Sequence, residues 1–95
     1  MSAPHFRYKP SINRTMEEQG VIYWRSRIYR SLSPDRQVMI RYLCAEAGGE
    51  YADAVLQFVS TDTGATAISM RHNLSRETLD RCVRKYYERF PVGEI

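Results

Sequence analysis

The stretch that most constrains the fold runs from Ile68 to Tyr87 and reads ISMRHNLSRETLDRCVRKYY. Asn73, near its start, belongs to a residue type that tolerates the left-handed backbone conformation, so it can turn the chain after a short helix. Ser75 is a favourable helix N-cap, because its hydroxyl can accept a hydrogen bond from the amide of Glu77 or Thr78. The charge of Glu77 suits the positive end of the new helix dipole. The stretch therefore predicts two helices joined by a tight turn.

This arrangement resembles the helix-turn-helix of sigma-factor region four and of phage and mobile-element regulators with a similar module. The usual run there is Ile-Ala, three residues, Gly-Ile-Ser, two residues and Thr-Val. The matching residues here are Ile68 and Ser69, then Asn73, Leu74 and Ser75, then Thr78 and Leu79. Ser69 replaces the usual alanine and keeps the small size needed where the two helices are in close contact. Asn73 replaces the usual glycine and can still adopt the conformation of the turn. The resemblance covers about a quarter of the chain and implies binding to double-stranded DNA.

The resemblance also implies roles for the polar side of the last helix, since the second helix of such a module enters the major groove. The residues expected to read base edges are Arg76, Glu77, Asp80 and Arg81. The residues expected to hold the DNA backbone are Arg71, Ser75, Arg84 and Lys85. The alternative is an ordinary solvated helix surface. In that case Glu77 with Arg81, and Asp80 with Arg84, would form ion pairs that stabilise the helix by about 0.2–0.5 kcal/mol each.

The same helix is predicted over Arg76 to Phe90, because its apolar residues fall on one side and Pro91 ends it. Those apolar residues are Leu79, Cys82, Val83, Tyr86, Tyr87 and Phe90. We expect the three aromatic members to pack in the core, against Trp24 or Phe58. The first helix of the pair is predicted over Ala65 to His72, with a cap at Thr61, Asp62 or Thr63.

Three further helices are predicted upstream. The first spans about Arg14 to Leu32, where apolar residues recur at helical spacing. These apolar residues are Val21, Trp24, Ile28 and Leu32. The second begins at Ser33 and Pro34, runs to Ala47 and is ended by Gly48 and Gly49. The third lies within residues 50–62, with a strand over residues 55–59 as the alternative.

These elements predict an all-α fold of four to five short helices with a C-terminal helix-turn-helix at about residues 64–90. Residues 14–91 are expected to form one helical domain, and residues 92–95 a loose tail. Residues 1–13 contain Pro4 and Pro10 and are expected to form an extended N-terminal arm. The arm is expected to lie across a groove of the body. In the alternative interpretation, Arg7 and Lys9 follow a nucleic-acid backbone.

The charge distribution favours a nucleic-acid partner. The net charge of +3 is concentrated at the two ends, since residues 1–30 carry six basic and two acidic side chains and residues 71–95 carry six and four. Twelve of the fourteen basic residues are arginine, the side chain that binds phosphate and guanine edges through two parallel hydrogen bonds. Carboxylates of a protein partner remain an alternative target.

The sequence offers little for other functions. It contains no glycine-rich phosphate loop and no nucleophile motif, so we expect no catalytic activity and no cofactor. Cys44 and Cys82 lie in apolar helical patterns, while His5 and His72 lie in unrelated contexts, so no metal site is predicted. The chain shows neither a transmembrane run nor a signal peptide, and we expect a cytoplasmic location and no membrane partner.

The sequence therefore predicts a small sequence-specific DNA-binding protein, either a transcriptional regulator or an accessory factor of a phage or mobile element. Two-fold pairing would give two half-sites a helical turn apart, and the helix around Trp24 is the candidate homodimer surface. The alternative is a helical protein–protein interaction module without DNA binding. Such a module would use Ile22, Tyr23 and Tyr29 or the groove under the arm.

Overall fold

The computed structural model describes Phe6 and residues 8–93. These residues form five α-helices and two single-turn 3₁₀ helices and no β-strand, which confirms the all-α prediction. The α-helices are α1 (Met16–Arg27), α2 (Pro34–Gly48), α3 (Ala52–Ser60), α4 (Ala65–His72) and α5 (Arg76–Arg89). The 3₁₀ helices are Tyr29–Ser31 and Gly49–Tyr51. The predictions for Pro4 and Arg7 in the arm, and for the last two residues of the tail, lie outside the described residues.

Helix α1 is shorter than the predicted span from Arg14 to Leu32. A capping box sets its start: the Glu18 amide donates to the Thr15 hydroxyl at 3.1 Å, and the Thr15 amide donates to the Glu18 carboxylate at 2.9 Å. The second of these contacts is also the main reason that the pKa of Glu18 lies below its usual value, since a hydrogen bond from the Thr15 backbone favours the carboxylate. The helix ends at Arg27, because Ile28 leaves helical geometry and the 3₁₀ helix follows.

The inward side of α1 also differs from the prediction. Val21, Trp24 and Ile28 are 37%, 49% and 44% exposed. Of the two partners predicted for the α5 aromatics, Phe58 packs against the cluster that contains Tyr86 and Phe90, whereas Trp24 is half exposed. The buried residues of α1 are instead Gln19, Ile22 and Ser26. Two of these are polar and remain buried because both have partners, as the 2.7 Å hydrogen bond between the Ser26 and Tyr86 hydroxyls shows.

Helix α2 begins after Ser33 and ends at Gly48, one residue past the predicted Ala47. Its C-cap is Gly49, whose φ of 56° lies in the left-handed region that glycine adopts without strain. Ser33 occupies the N-cap position, but its hydroxyl makes no capping hydrogen bond. The helix buries Ile40, Leu43, Cys44 and Ala47. Residues 50–62 contain the predicted helix, observed as α3, and the strand alternative is wrong.

Helix α4 has the predicted bounds, but its N-cap is Gly64 and not Thr61, Asp62 or Thr63. Helix α5 ends one residue before the predicted Phe90, which becomes its C-cap. The predicted apolar side of α5 is confirmed, since every member of that set is buried except Tyr87, which is half-buried. Burial raises the pKa of both Tyr86 and Tyr87 above the usual tyrosine value.

The core consists of two clusters of buried residues. The larger joins α1, α2, α3 and α5, and the smaller joins α3, α4 and α5. The larger cluster comprises Ile22, Ile40, Leu43, Cys44, Ala47, Val55, Val59, Cys82, Tyr86 and Phe90. The smaller comprises Ala54, Ile68, Leu79 and Val83. Because the smaller cluster lies beneath α4 and the first half of α5, it fixes the geometry of these two helices.

Candidate nucleic-acid interface

The connection between α4 and α5 is a tight turn centred on Asn73. Asn73 has φ 55° and ψ 51°, the left-handed conformation that its short polar side chain tolerates. The amides of Asn73 and Leu74 both donate to the Ser69 carbonyl, the latter at 3.0 Å, which satisfies the end of α4. Ile68 is fully buried and Ser69 nearly so, in keeping with the close contact expected at this position. The predicted bend is therefore present.

Helix α5 begins at the predicted cap. The Ser75 hydroxyl accepts a hydrogen bond from the Thr78 amide at 3.1 Å and donates to the Thr78 hydroxyl at 2.8 Å. The hydroxyl proposed as a DNA backbone contact thus already has two partners within the protein. It can still accept one more hydrogen bond, because a hydroxyl oxygen has two lone pairs.

The polar side of α5 points away from the core. We call this surface the α5 polar face, and every residue in it is exposed. It consists of Glu77, Asp80, Arg81, Arg84, Lys85 and Glu88. Arg71 on α4 is exposed as well. The side chains predicted to contact DNA are therefore accessible to a macromolecular partner.

The structure divides the predicted site residues into separate groups. Four of them line one shallow groove of about 470 Å³, which we call the arm groove. Its lining consists of Lys9, Ser11, Ile12, Glu77, Asp80, Arg81, Val83 and Arg84. Ser75 and Arg76 line a different depression with Thr66 and Met70 on the α4 side. Arg71 and Lys85 line neither.

Arg76 is held toward α4 and not toward the arm groove. Its guanidinium donates to the Thr66 hydroxyl at 3.0 Å. This contact ties the start of α5 to the first turn of α4, so Arg76 has a structural role independent of any partner. The other three predicted base-reading residues, Glu77, Asp80 and Arg81, lie together in the arm groove.

The ion pairs expected for an ordinary solvated helix surface are not formed. Within the described part of the chain, the salt bridges join Arg14 with Glu18, Arg27 with Asp62 and Arg89 with Glu46. Neither Glu77 with Arg81 nor Asp80 with Arg84 is among these pairs, although the spacing permits both. The cations of the arm groove therefore carry no intramolecular partner charge within 4.0 Å among residues 8–93.

One wall of the arm groove comes from the N-terminal arm, which the buried side chain of Gln19 fixes to the body. Gln19 is only 1% exposed. Its Oε1 accepts from the Lys9 amide at 3.0 Å, and its Nε2 donates to the carbonyls of Lys9 at 3.0 Å and Arg14 at 3.1 Å. A longer contact of 3.4 Å reaches the Ile12 carbonyl. One carboxamide thus holds the chain on both sides of a turn.

The residue after the arm is anchored to the C-terminal end of α5, and Ile12 within the arm is buried, with 4% of its surface exposed. The Arg14 guanidinium donates to the carbonyls of Tyr87 at 3.1 Å, Glu88 at 2.8 Å and Phe90 at 2.7 Å. These carbonyls belong to the last turn of α5, where a cation is favoured by the helix dipole.

The roles of Gln19, Arg14 and Ser11 were absent from the sequence prediction. The Arg14 contact with Phe90 spans 76 residues, and the partners of Gln19 lie outside its own helix, so neither role follows from a helical pattern. The one local signal was the spacing of Gln19, Ile22 and Ser26, which is helical but two-thirds polar. Hydrophobic periodicity does not predict that a helix face with two polar residues out of three is buried.

Other kinds of site receive no support in the described residues. No group of three or more His, Cys, Asp and Glu side chains in residues 8–93 is placed to hold a metal ion. Burial, followed by the negative charge of Asp53, raises the pKa of Cys44 to about 12, so this thiol is protonated at neutral pH and a poor nucleophile. None of the described helices has both the length and the apolar character needed to cross a membrane.

Comparison of the chain with protein-family models, with curated proteins and with solved structures found no match.

Proposed function

We propose that this protein binds double-stranded DNA in a sequence-specific manner, with α4 and α5 acting as a helix-turn-helix. The observation that carries the proposal is the exposed α5 polar face, which follows directly after the left-handed turn at Asn73. Arg81 and Arg84 in this face have no intramolecular ion pair within the described residues and remain available for a partner. A role as a transcriptional regulator or as an accessory factor of a phage or mobile element follows from the resemblance in sequence.

The chemistry of the arm groove suits recognition of base edges and phosphates together. An arginine such as Arg81 can bind guanine through two hydrogen bonds, and a carboxylate such as Asp80 or Glu77 can accept from cytosine N4. Arg84 lies one turn further along α5, where its guanidinium would contact the phosphate backbone of the DNA. The two acids also oppose unspecific phosphate binding, because they lower the local positive potential.

Arg76 has a smaller part in this proposal than in the sequence prediction. Its guanidinium would have to release Thr66 before it could reach a base. We therefore expect specificity to depend mainly on Asp80 and Arg81. Arg71 and Lys85 remain candidates for backbone contacts at the two flanks, since both are exposed.

The experiment that tests this function is a salt titration of binding to duplex DNA of mixed sequence. We expect measurable affinity at low salt and a linear fall of the logarithm of the association constant with the logarithm of the salt concentration. With about four phosphate contacts the slope should be about −4, since each contact releases close to one counterion. Single-stranded DNA and duplex RNA of the same length are the controls. Failure to bind any duplex DNA at low salt would refute the proposal.

A homodimer is the second part of the proposal, because a single small module has little contact area for specific binding. Val21 and Trp24 on α1 and Ile28 at its C-cap form an exposed apolar surface, which we call the α1 stripe. The first turn of α1 carries Glu17 and the last carries Arg25. An antiparallel pairing of two copies would cover the stripe and bring opposite charges together at both ends, which favours a second copy of the chain as its partner.

The dimer is tested by replacing Trp24 with glutamate and measuring sedimentation equilibrium. We expect the wild-type protein to form dimers at micromolar concentration and Trp24→Glu to remain monomeric, because the charge would be desolvated at the centre of the contact. Met70→Glu is the control, because Met70 is 78% exposed on α4 and lies outside the stripe, so this variant should dimerise like the wild type. A monomeric wild-type protein would contradict the proposed homodimer.

The second candidate function is a protein–protein interaction module, and the exposed α1 stripe is the observation that favours it. Its predicted contact set requires correction, since Ile22 is fully buried. Self-association through the stripe, without any binding of duplex DNA at low salt, would support the module and exclude the DNA-binding function.

A further inference from the structure

The N-terminal arm is positioned beside α5 before any partner binds. Ile12 and the Gln19 carboxamide fix the turn at residues 9–12, where the Ile12 amide also donates to the Lys9 carbonyl at 3.1 Å. The Asn13 amide donates to the Glu88 carboxylate at 3.0 Å, which connects the next residue of the arm to the α5 polar face. The backbone is therefore held at Lys9 and Ile12 by α1 and at Asn13 by α5.

This placement brings two arm side chains into the arm groove. Lys9 and Ser11 line it together with Asp80, Arg81 and Arg84. Gln19 holds Lys9 through both its amide and its carbonyl, so the position of the lysine backbone is fixed while its ammonium group stays on an exposed residue. The salt bridges within residues 8–93 do not include Lys9.

The chemistry of these two side chains fits a phosphodiester. An ammonium group supplies a charge and three donors, and a serine hydroxyl is among the common donors to DNA phosphate oxygens. The arm groove contains three cations, Lys9, Arg81 and Arg84, and two carboxylates, Glu77 and Asp80. A phosphate oxygen next to Lys9 would balance the excess positive charge. A neutral or cationic ligand would leave that excess without a counter-charge.

We propose that Lys9 and Ser11 form a phosphate-binding site for the DNA strand that borders the bases contacted by Asp80 and Arg81, with Gln19 as the positioning residue. This inference rests on the proposed DNA-binding function. The arm then extends the interface of α5 by one phosphate contact. Because residues 9–13 are already held in place by hydrogen bonds, positioning the backbone for this contact costs little conformational entropy on binding.

The site is tested by measuring the salt dependence of duplex DNA binding for Lys9→Ala. We expect the affinity to fall about fivefold at low salt, equally for different DNA sequences, and the salt slope to become shallower by about 1. Ser11→Ala should weaken binding about twofold with an unchanged slope, since it removes a neutral donor. Arg36→Ala is the matched control: Arg36 is an exposed cation on α2 outside the groove, and its loss should leave the slope unchanged.

The outcomes separate this inference from the function on which it rests. If the wild-type protein binds DNA and Arg81→Ala weakens binding, but Lys9→Ala matches the wild type in affinity and slope, the phosphate site is refuted and the function stands. If Lys9→Ala changes the affinity for some sequences and not for others, Lys9 reads bases and the proposed phosphate contact is wrong. If the wild-type protein does not bind duplex DNA, the proposed function itself is refuted.

Discussion

Replacing Gln19 with alanine is expected to lower the free energy of unfolding by about 3 kcal/mol, because each polar group left buried without a partner costs about 1–3 kcal/mol. The carboxamide is nearly inaccessible to water and bonds the Lys9 amide and the carbonyls of Lys9 and Arg14. Some of these backbone groups will form hydrogen bonds with water when the arm loosens in the variant, which limits the loss of unfolding free energy. Urea denaturation followed by far-ultraviolet circular dichroism measures the change.

Gln37→Ala is the matched control for that substitution. The Gln37 side chain also bonds two backbone carbonyls, those of Arg30 at 3.4 Å and Leu32 at 3.2 Å. Gln37 is only half-buried, so water can replace its contacts, and the expected loss is below about 1 kcal/mol. Equal losses for the two variants would show that Gln19 does not anchor the arm.

Replacing Arg81 with glutamate is expected to lower the affinity for duplex DNA by about 100-fold at low salt, since a phosphate or base contact becomes a repulsive charge. Arg81 is exposed, and the arm groove already contains the carboxylates of Glu77 and Asp80. A third carboxylate would reverse the sign of the groove. Fluorescence anisotropy with a labelled duplex measures the affinity, and urea denaturation verifies that the fold is intact.

Arg36→Glu changes the net charge by the same amount at a position outside the groove. Its expected loss is below about fivefold, because charges beyond a Debye length of about 10 Å are screened. Similar losses for Arg81→Glu and Arg36→Glu would mean that binding depends on net charge alone. The α5 polar face would then have no special role.

Local signals predicted the α4–α5 region well. Asn73 as the turn residue, Ser75 as the cap and Pro91 after the last turn are each specified by the residue itself and its immediate neighbours. The apolar side of α5 was also predictable, because its buried residues are nearly all apolar and recur at helical spacing. These elements need no knowledge of distant partners.

The orientation of α1 required such knowledge. Hydrophobic spacing favoured Trp24 as inward, whereas the buried residues are Ile22 and the polar Gln19 and Ser26. The burial of both polar residues is stabilised by hydrogen bonds outside α1: Gln19 bonds the backbone of the preceding segment, and the hydroxyl pair of Ser26 and Tyr86 is separated by 60 residues. Hydrogen bonds to the rest of the protein therefore determine which face of α1 is buried, whereas hydrophobic periodicity alone favours the opposite face.

The arm groove was unpredictable for the same reason. Lys9 and Arg81 share it only because Gln19, Ile12 and Arg14 bind the arm to the body, and no local pattern encodes that contact. The sequence suggested two independent interpretations for the arm, one as a cover of the body and one as a basic extension. Among the described residues of the arm, the burial of Ile12 favours the first interpretation, although residues 9–12 form a turn and are not extended as predicted. We propose the second interpretation for Lys9 alone.

An amide chemical-shift map of the protein titrated with a short duplex DNA tests whether the exposed side of α5 contacts DNA. We expect the largest shifts on the first three turns of α5, from Arg76 to Lys85, and on the arm at Lys9 and Ser11. We expect small shifts for the α1 stripe. Shifts concentrated on Val21, Trp24 and Ile28, or no shifts at low salt, would contradict the claim that the exposed side of α5 contacts DNA.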